Sequence, residues 1–239
     1  MNPTRTLYAA LLAGALAAPA SAQIIINGSF ESGFTGWTRA EQTGSNGTFA
    51  LQSGLASPVN AFAVPAPPAG ANAAMTDSTA GGAHVLYQDF TIPVGPIPSA
   101  NVTFSYYLNN HATAYINPGH LDWGLTSNPG GLNLNQQARV DIMTTTADPF
   151  SVAAADILQN LLQTNATTPL VTGYNSHFVD VTALFLARQG QTVRLRFAET
   201  DNVNFFNFGV DNVTVNIPAP SALALGLLSF VARRRTRQA

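Results

Sequence analysis

The segment Val193-Arg194-Leu195-Arg196-Phe197 decides the fold class of this 239-residue chain, because its apolar and basic residues alternate strictly. Successive side chains of a β-strand point to opposite faces, so the alternation predicts a strand with one face on a core. The segment Asn101-Val102-Thr103-Phe104-Ser105-Tyr106 alternates in the same way. Both segments therefore predict half-buried strands.

Short segments of the same kind recur along the chain, rich in Val, Ile, Phe, Tyr and Thr and separated by Gly, Pro, Asn and Ser. Such residues favour strands, and such breaks are typical of turns. Two stretches rich in Pro, Gly and Asn, residues 56–70 and 117–135, predict long surface loops. The predicted strands comprise residues 84–90, 101–108, 139–144, 177–184, 192–198 and 205–215.

One helix is expected among the strands, over residues 151–163. Asp148 suits the N-cap of this helix, and Pro149 suits its first position. Its apolar residues fall on one side, so it would pack on the outside or the end of a sheet. These residues are Val152, Ala155, Leu158, Leu161 and Leu162.

Many short strands, long loops and one peripheral helix together predict an all-β fold. We expect an antiparallel two-sheet β-sandwich, with jelly-roll topology as the leading version. The sequence pattern alone does not separate a jelly roll from an immunoglobulin-like sandwich. Residues 23–217 are long enough to form this sandwich as one domain with a substantial core.

The composition excludes several classes of enzyme. The chain has 10 basic residues, all of them arginine, against 12 acidic residues, and it has no cysteine. Without lysine it forms no P-loop, Schiff base or serine–lysine dyad, and without cysteine it forms no disulfide or thiolate site. No basic stripe marks the body of the chain, so nucleic acid is not an expected partner.

The N-terminus, residues 1–22, has the features of a secretory signal peptide. Arg5 precedes an apolar run over residues 7–18, and Ala20-Ser21-Ala22 offers a small-x-small cleavage site. We therefore expect a signal helix that is removed after Ala22. A buried N-terminal helix is the alternative, although the run has no polar face.

At the C-terminus, residues 218–239, Pro218-Ala219-Pro220 precedes an apolar stretch over residues 222–232, and Arg233-Arg234-Arg235 follows it. This arrangement resembles the PEP-CTERM sorting signal of Gram-negative bacteria. The family has an acidic residue between the two prolines, whereas this chain has Ala219 at that position. A stretch of this length is a marginal membrane anchor by itself, and the arginines after it would stay on the cytoplasmic side.

This resemblance implies an exported protein that an exosortase, a membrane protease-transpeptidase, recognises through a hydrophobic C-terminal helix. It further implies transient association with the inner membrane and a final place at the cell surface or in a polysaccharide matrix. The alternative is an ordinary membrane anchor that is never processed. Without both end segments, residues 23–217 carry five arginines against 12 acidic residues, a net charge of −7 instead of the −2 of the full chain.

The expected domain opens with Ile26-Asn27-Gly28-Ser29-Phe30-Glu31, followed by Gly36-Trp37, and closes with Gly209-Val210-Asp211-Asn212-Val213. These two motifs resemble those of galactose-binding-like jelly rolls, which many carbohydrate-binding modules share. In that family the first and last strands lie together and commonly hold a structural calcium ion. The resemblance implies Glu31 and Asp211 as ligands, with the Asn27 carbonyl as a weaker one. The alternative is that Glu31 caps a turn and Asp211 accepts backbone hydrogen bonds.

Aromatic and polar residues of one loop region are the candidates for carbohydrate binding, since function on a sandwich usually resides in its loops. Trp123 has an alternative role, which is to pin a long loop to the sandwich. Trp37 is expected in the core instead. The candidates are His111, Tyr115, His120, Asp122 and Trp123.

Glu199 and Asp201 are the candidates for acid–base catalysis, because residues two apart on a strand share one face. Glycosidase carboxylates usually come from separate strands, so we expect no catalytic function. Instead the pair is expected to meet Arg194 or Arg196, or to contribute to a cation site. The four histidines show no close metal-ligand spacing apart from the loose His120-x-Asp122.

The sequence supports three hypotheses for function. The leading one is a non-catalytic protein of the cell surface or extracellular matrix that binds glycans. The second is a purely structural or adhesive matrix protein without a specific ligand. The third is a polysaccharide hydrolase that uses carboxylates such as Glu199 and Asp201.

Overall fold

The structure is a computed structural model that describes residues 24–124 and 133–218. Within these ranges ten strands form two five-stranded sheets, and one short helix follows the eighth strand. The predicted signal helix and hydrophobic C-terminal helix lie outside the described residues. The elements are β1 (Thr38–Glu41), β2 (Thr48–Ser53), β3 (Asn72–Asp77), β4 (Gly82–Thr91), β5 (Asn101–Asn110), β6 (Gln136–Thr144), β7 (Ile157–Gln163), β8 (Asn175–Asp180), α1 (Thr182–Ala187), β9 (Thr192–Asp201) and β10 (Phe206–Asn216).

The strand order of the two sheets is that of a jelly roll with one extra strand at an edge of each sheet. The first sheet has the order β1-β4-β9-β6-β7 and the second β2-β3-β10-β5-β8, with antiparallel pairing throughout. From β3 to β10, each strand crosses to the other sheet except at the β6–β7 hairpin. The predicted antiparallel sandwich is confirmed, in its jelly-roll version.

The core lies between the sheets and follows the alternation seen in the sequence. Val193, Leu195 and Phe197 of β9 belong to the main hydrophobic cluster, as predicted. Trp37 is also in the core, where its ring centroid lies 5.3 Å from that of Phe30 and 6.0 Å from that of Phe197. Thus aromatic side chains from the opening motif and from a central strand fill the same layer.

The helix predicted over residues 151–163 is wrong. Ile157–Gln163 forms β7, which pairs with β6, and the chain before it runs through turns. The carbonyls of Pro149 and Ser151 accept hydrogen bonds of 2.6 and 2.7 Å from the Arg196 guanidinium. In the folded chain these carbonyls bind Arg196, and β7 covers the edge of β6. These tertiary contacts outweigh the preference for a helix that the spacing of the apolar residues indicates.

The described helix, α1, occupies part of a segment predicted as strand. Only residues 177–180 of the predicted strand 177–184 lie in β8. Val181 and Phe185 are four residues apart, both are buried in the core, and the Phe185 amide donates to the Val181 carbonyl. That spacing places both side chains on one helical face. The helix has six residues, and no helix within the described ranges is long and apolar enough to cross a membrane.

The predicted loop over residues 56–70 contains no strand beyond the isolated bridge between Ala56 and Ala63, so it is confirmed as a loop. It covers the outer face of the second sheet, where Val64 packs with Met75 and Tyr107. The described parts of the other predicted loop, residues 117–124 and 133–135, are irregular as well.

Candidate functional site

The opening motif lies against the last strand, as the family resemblance implies, although it forms turns instead of a strand. The Val213 amide of β10 donates to the Gly28 carbonyl at 2.8 Å. A Cβ on Gly28 would lie only 1.9 Å from the Val213 oxygen, so this approach requires glycine. Asn27 closes the turn through its side chain, which accepts from the Ser32 amide and donates to the Gly33 carbonyl.

Glu31 reaches from this turn to the start of β3. One of its carboxylate oxygens, Oε1, accepts hydrogen bonds from the Ala71 amide at 2.9 Å and the Asn72 amide at 2.8 Å. Gly70 lies directly beneath the carboxylate with φ +65°, and a Cβ there would lie 2.4 Å from Glu31 Cδ. The Glu31 carboxylate therefore occupies the space where the side chain of any residue other than glycine at position 70 would lie.

Asp211 approaches the same loop from β10. It is fully buried, and its oxygens accept from the Ala69 amide at 3.0 Å and the Asn212 amide at 2.7 Å. Burial raises the pKa of Asp211 to about 6, and the charge of Glu31 acts in the same direction. The ion pairs among the described residues involve neither carboxylate. The structure thus brings Glu31 and Asp211 together around the loop at residues 69–72 and gives them backbone amides as partners.

The third implied calcium ligand is already engaged. The Asn27 carbonyl accepts hydrogen bonds from the Phe30 amide at 3.2 Å and from the Trp37 indole nitrogen at 3.1 Å. This oxygen holds the turn and the core tryptophan in place. Two carboxylates beside a loop nevertheless provide the hard oxygen donors that calcium prefers.

The five loop candidates for carbohydrate binding occupy three separate environments. The exposed ring of His111 packs on Phe62, with 4.5 Å between ring centroids. Tyr115 is buried, and its hydroxyl donates to the Pro169 carbonyl at 3.2 Å. Its ring centroid lies 5.6 Å from that of Phe206 in the core, so Tyr115 packs in the core and is not exposed to a ligand.

His120, Asp122 and Trp123 form the third environment, where a loop is fastened to the sandwich mainly through its backbone. The His120 carbonyl accepts from Asn135 Nδ2 at 3.0 Å, and the Trp123 carbonyl accepts from Asn202 Nδ2 at 2.7 Å. The Asp122 carboxylate accepts from the amide of Gly124 at 2.9 Å. These contacts agree with the alternative in which Trp123 pins the loop.

A cleft of about 200 Å³ opens at the same end of the sandwich, between the turn that precedes β4 and the turn that follows β9. The ring of Phe205 at its rim lies 5.6 Å from that of Phe62 and 6.4 Å from that of His111. We call Phe62, His111 and Phe205 the rim cluster; its two phenylalanines are half-buried and its histidine is exposed. The cleft is lined by Thr79, Ala80, Gly81, Asp201, Asn202, Val203, Asn204 and Phe205.

Sequence reasoning found only His111 of the rim cluster. Phe62 lies in the predicted loop 56–70, and Phe205 begins the predicted strand 205–215. Nothing in their local sequence indicates that the three rings meet. They come into contact only when the two sheets have formed and bring their loops together. The one available signal was Phe62 itself, a large aromatic residue in a loop otherwise rich in Pro and Ala.

The expected pairing of Glu199 and Asp201 with Arg194 or Arg196 is wrong. Arg194 binds Asp89 at 2.7 Å, and Arg196 binds Asp141. Because side chains alternate along β9, the two carboxylates share the inner face with Phe197, whereas the arginines lie on the outer face. The carboxylates therefore lie at the end of the space between the sheets.

Comparison with known proteins finds similar solved structures but no matching family. No family model matches the chain, and no curated protein matches it. A carbohydrate-binding module solved in complex with β-1,4-galactotriose is similar at 11% identity and a TM-score of 0.45, over 81% of this chain and 97% of that chain. The K1 cleaved adhesin domain of Lys-gingipain from Porphyromonas gingivalis W83 is similar at 14% identity and a TM-score of 0.43, over 81% of this chain and 96% of that chain. A cyclase from Fischerella sp. TAU is similar at 17% identity and a TM-score of 0.47, over 84% of this chain and all of that chain (100%).

Proposed function

We propose that this chain is an exported, non-catalytic protein that binds glycans through the cleft and its rim cluster. The observation that carries the proposal is the partly exposed aromatic cluster beside a cleft lined by polar groups. Aromatic rings offer apolar faces to the C–H groups of a sugar, while nearby amides and carboxylates bind its hydroxyls. With a volume of about 200 Å³, the cleft has room for a single sugar unit.

The proposed location of the protein in the cell rests on the two end segments of the sequence. The signal peptide at residues 1–22 would direct export, and the PEP-CTERM-like segment at residues 218–239 would engage an exosortase-type enzyme at the inner membrane of a Gram-negative bacterium. The protein would then act at the cell surface or in the extracellular polysaccharide, which is the natural source of its glycan.

The absence of catalysis is part of the proposal. Glu199 is only 1% exposed and is not among the residues that line the cleft, whereas Asp201 is. Glycoside hydrolysis needs two carboxyl groups about 5 Å or more apart with the glycosidic bond between them. Here the two carboxylates lie side by side on one strand, and only one reaches the cleft.

A structural calcium ion at Glu31 and Asp211 is a second part of the proposal. The two carboxylates lie around the loop at residues 69–72, and burial, together with the like charge of Glu31, raises the pKa of Asp211. A divalent cation would offset the repulsion between them and would tie the opening turn to β3 and β10. Its function would be stability, with no direct contact to the glycan.

The glycan proposal is tested by removing one ring of the rim cluster. Binding is screened on a glycan array, and the best ligand is then titrated calorimetrically against the native chain and Phe205→Ala. We expect the substitution to weaken binding at least about tenfold, which corresponds to about 1.4 kcal/mol. Phe178→Ala is the matched control, because Phe178 is a 65% exposed aromatic residue on β8.

Each other outcome has a definite meaning. An array without signal in calcium-containing buffer would refute glycan binding and favour the structural or adhesive alternative. Equal losses in Phe205→Ala and Phe178→Ala would refute the cleft as the site. Release of sugar by the native chain, abolished by the double change Glu199→Gln and Asp201→Asn, would refute the non-catalytic assignment.

A further inference from the structure

Three side chains with metal-binding chemistry converge at the cleft end of the inner face. His84 of β4 pairs in register with Glu199 of β9, and Asp201 follows two residues later on the same strand. One ligand atom from each of the three lies within 4.8 Å of the others. All three are buried, His84 and Glu199 being 1% exposed and Asp201 3% exposed. We call these residues the inner triad.

The inner triad contains polar atoms that have no partner. Neither ring nitrogen of His84 makes a hydrogen bond, and Oε1 of Glu199 makes none either. The Asn46 backbone carbonyl acts to raise the pKa of His84, but its position relative to the imidazole does not meet the geometry of a hydrogen bond. Since buried polar atoms are nearly always paired, unpaired atoms on two adjoining side chains, His84 and Glu199, indicate a missing ligand beside them.

The charges around the inner triad are acidic. Burial raises the pKa of Glu199 well above its usual value, and the charge of Asp201 acts in the same direction. Burial likewise raises the pKa of Asp201 to about 7 and lowers that of His84 to about 4. The neighbouring charges that act on the triad are both acidic: Glu41 raises the pKa of His84, and Asp77 raises the pKa of Asp201.

Neighbouring groups hold the inner triad in position. Asp201 accepts hydrogen bonds from the Gly82 amide at 2.9 Å and the Ser78 hydroxyl at 3.3 Å. A Cβ on Gly82 would lie 2.5 Å from Nε2 of His84, so glycine at this position leaves room for the imidazole. Asp201 also lines the cleft, which gives an ion a route from solvent to the triad. Oriented ligands and an entry path are both expected of a metal site.

We propose that His84, Glu199 and Asp201 bind one divalent transition-metal ion of the Zn²⁺ class. Zn²⁺ accepts imidazole nitrogen and carboxylate oxygen together, whereas Ca²⁺ binds oxygen ligands in larger number. Three protein ligands leave one position of a tetrahedral ion for water from the cleft. The site is distinct from the Glu31–Asp211 pair and does not depend on whether the cleft binds a glycan.

The experiment titrates Zn²⁺ into the purified full-length chain after removal of metal with a chelator. We expect one ion per chain by elemental analysis and a rise in melting temperature of about 5–10 °C at a hundredfold excess over Kd. The variant His84→Gln should lose at least tenfold in Zn²⁺ affinity. His111→Gln, which alters an exposed histidine of the rim cluster, should bind Zn²⁺ as the native chain does.

Several results would overturn the proposal. One is a melting temperature that Zn²⁺ leaves unchanged, together with no stoichiometric metal; another is equal loss of affinity in His84→Gln and His111→Gln. A third is tighter binding of Ca²⁺ than of Zn²⁺ that persists in Asp211→Asn and disappears in His84→Gln. Should His84→Gln fail to fold, Asp201→Asn tests the same site from its solvent-facing edge, with the same expected loss.

Discussion

Asp141→Asn is expected to destabilise the sandwich by about 3–5 kcal/mol, the loss typical of a buried ion pair that loses one partner. Asp141 is fully buried and accepts two hydrogen bonds of 2.7 Å from Arg139. It also binds Arg196, which is itself fully buried, and it accepts from Asn160 at 2.8 Å. The neutral amide would leave two guanidinium groups without a counter-charge on the covered outer face of the first sheet.

The measurement is urea unfolding at pH 7, with Asp89→Asn as the matched control. Asp89 binds Arg194 through two hydrogen bonds of 2.7 and 3.0 Å, but its side chain is 37% exposed. Exposed pairs contribute about 0–1 kcal/mol, so the control should unfold close to the native midpoint. If both variants lose the same stability, burial of the Asp141 cluster is not the source of the effect.

The same carboxylate gives a pH dependence with a definite sign. Burial alone would raise the pKa of Asp141, but the hydrogen bonds and charges of Arg139 and Arg196 outweigh it and hold the pKa below the usual 3.8. The group therefore stabilises the fold above about pH 4, and this contribution is lost as the pH falls through its lower folded pKa. In Asp141→Asn that part of the acid dependence should be absent.

Arg196 also shows which part of the structure could be predicted from the sequence and which part could not. Its alternation with Leu195 and Phe197 correctly predicts a strand with one face on the core. Nothing local indicates that the turn at Pro149 and Ser151 covers the opposite face and uses its carbonyls to bind the guanidinium. The same turn explains why the helix predicted over residues 151–163 is wrong.

The candidate sites divide in the same way. The approach of Glu31 to Asp211 follows from motifs at the two ends of the domain, so a family resemblance was enough to predict it. The inner triad and the rim cluster each join residues that are far apart in the chain and carry no shared motif. Their detection needs the pairing of β4 with β9, which sets His84 opposite Glu199, and the meeting of two loops, which sets Phe62 beside Phe205.

Removal of calcium is expected to lower the melting temperature of the native chain and to leave that of Asp211→Asn unchanged. An ion bound only by the folded state stabilises it by about 4 kcal/mol at a thousandfold excess over Kd. For a domain of this size that corresponds to roughly 8–16 °C. The shift is measured by thermal unfolding in millimolar calcium and again in excess chelator.

Asp201→Asn is the matched control for this measurement, because Asp201 is also a buried aspartate with a raised pKa but lies in the inner triad. It should keep the full calcium shift. A native chain with the same melting temperature in calcium and in chelator would refute the calcium site and favour the alternative, in which the carboxylates only accept backbone hydrogen bonds.

The behaviour of Asp211→Asn without metal provides a second, independent sign. Burial and the charge of Glu31 both oppose ionisation of Asp211, so in chelator the neutral amide removes a repulsion and gives up only part of the hydrogen bonding to Ala69 and Asn212. We therefore expect the variant to match the metal-free native chain within about 1 kcal/mol. Stabilisation by calcium that is absent from a variant of normal metal-free stability can only come from a lost ligand, since a general packing defect would lower the melting temperature in both buffers.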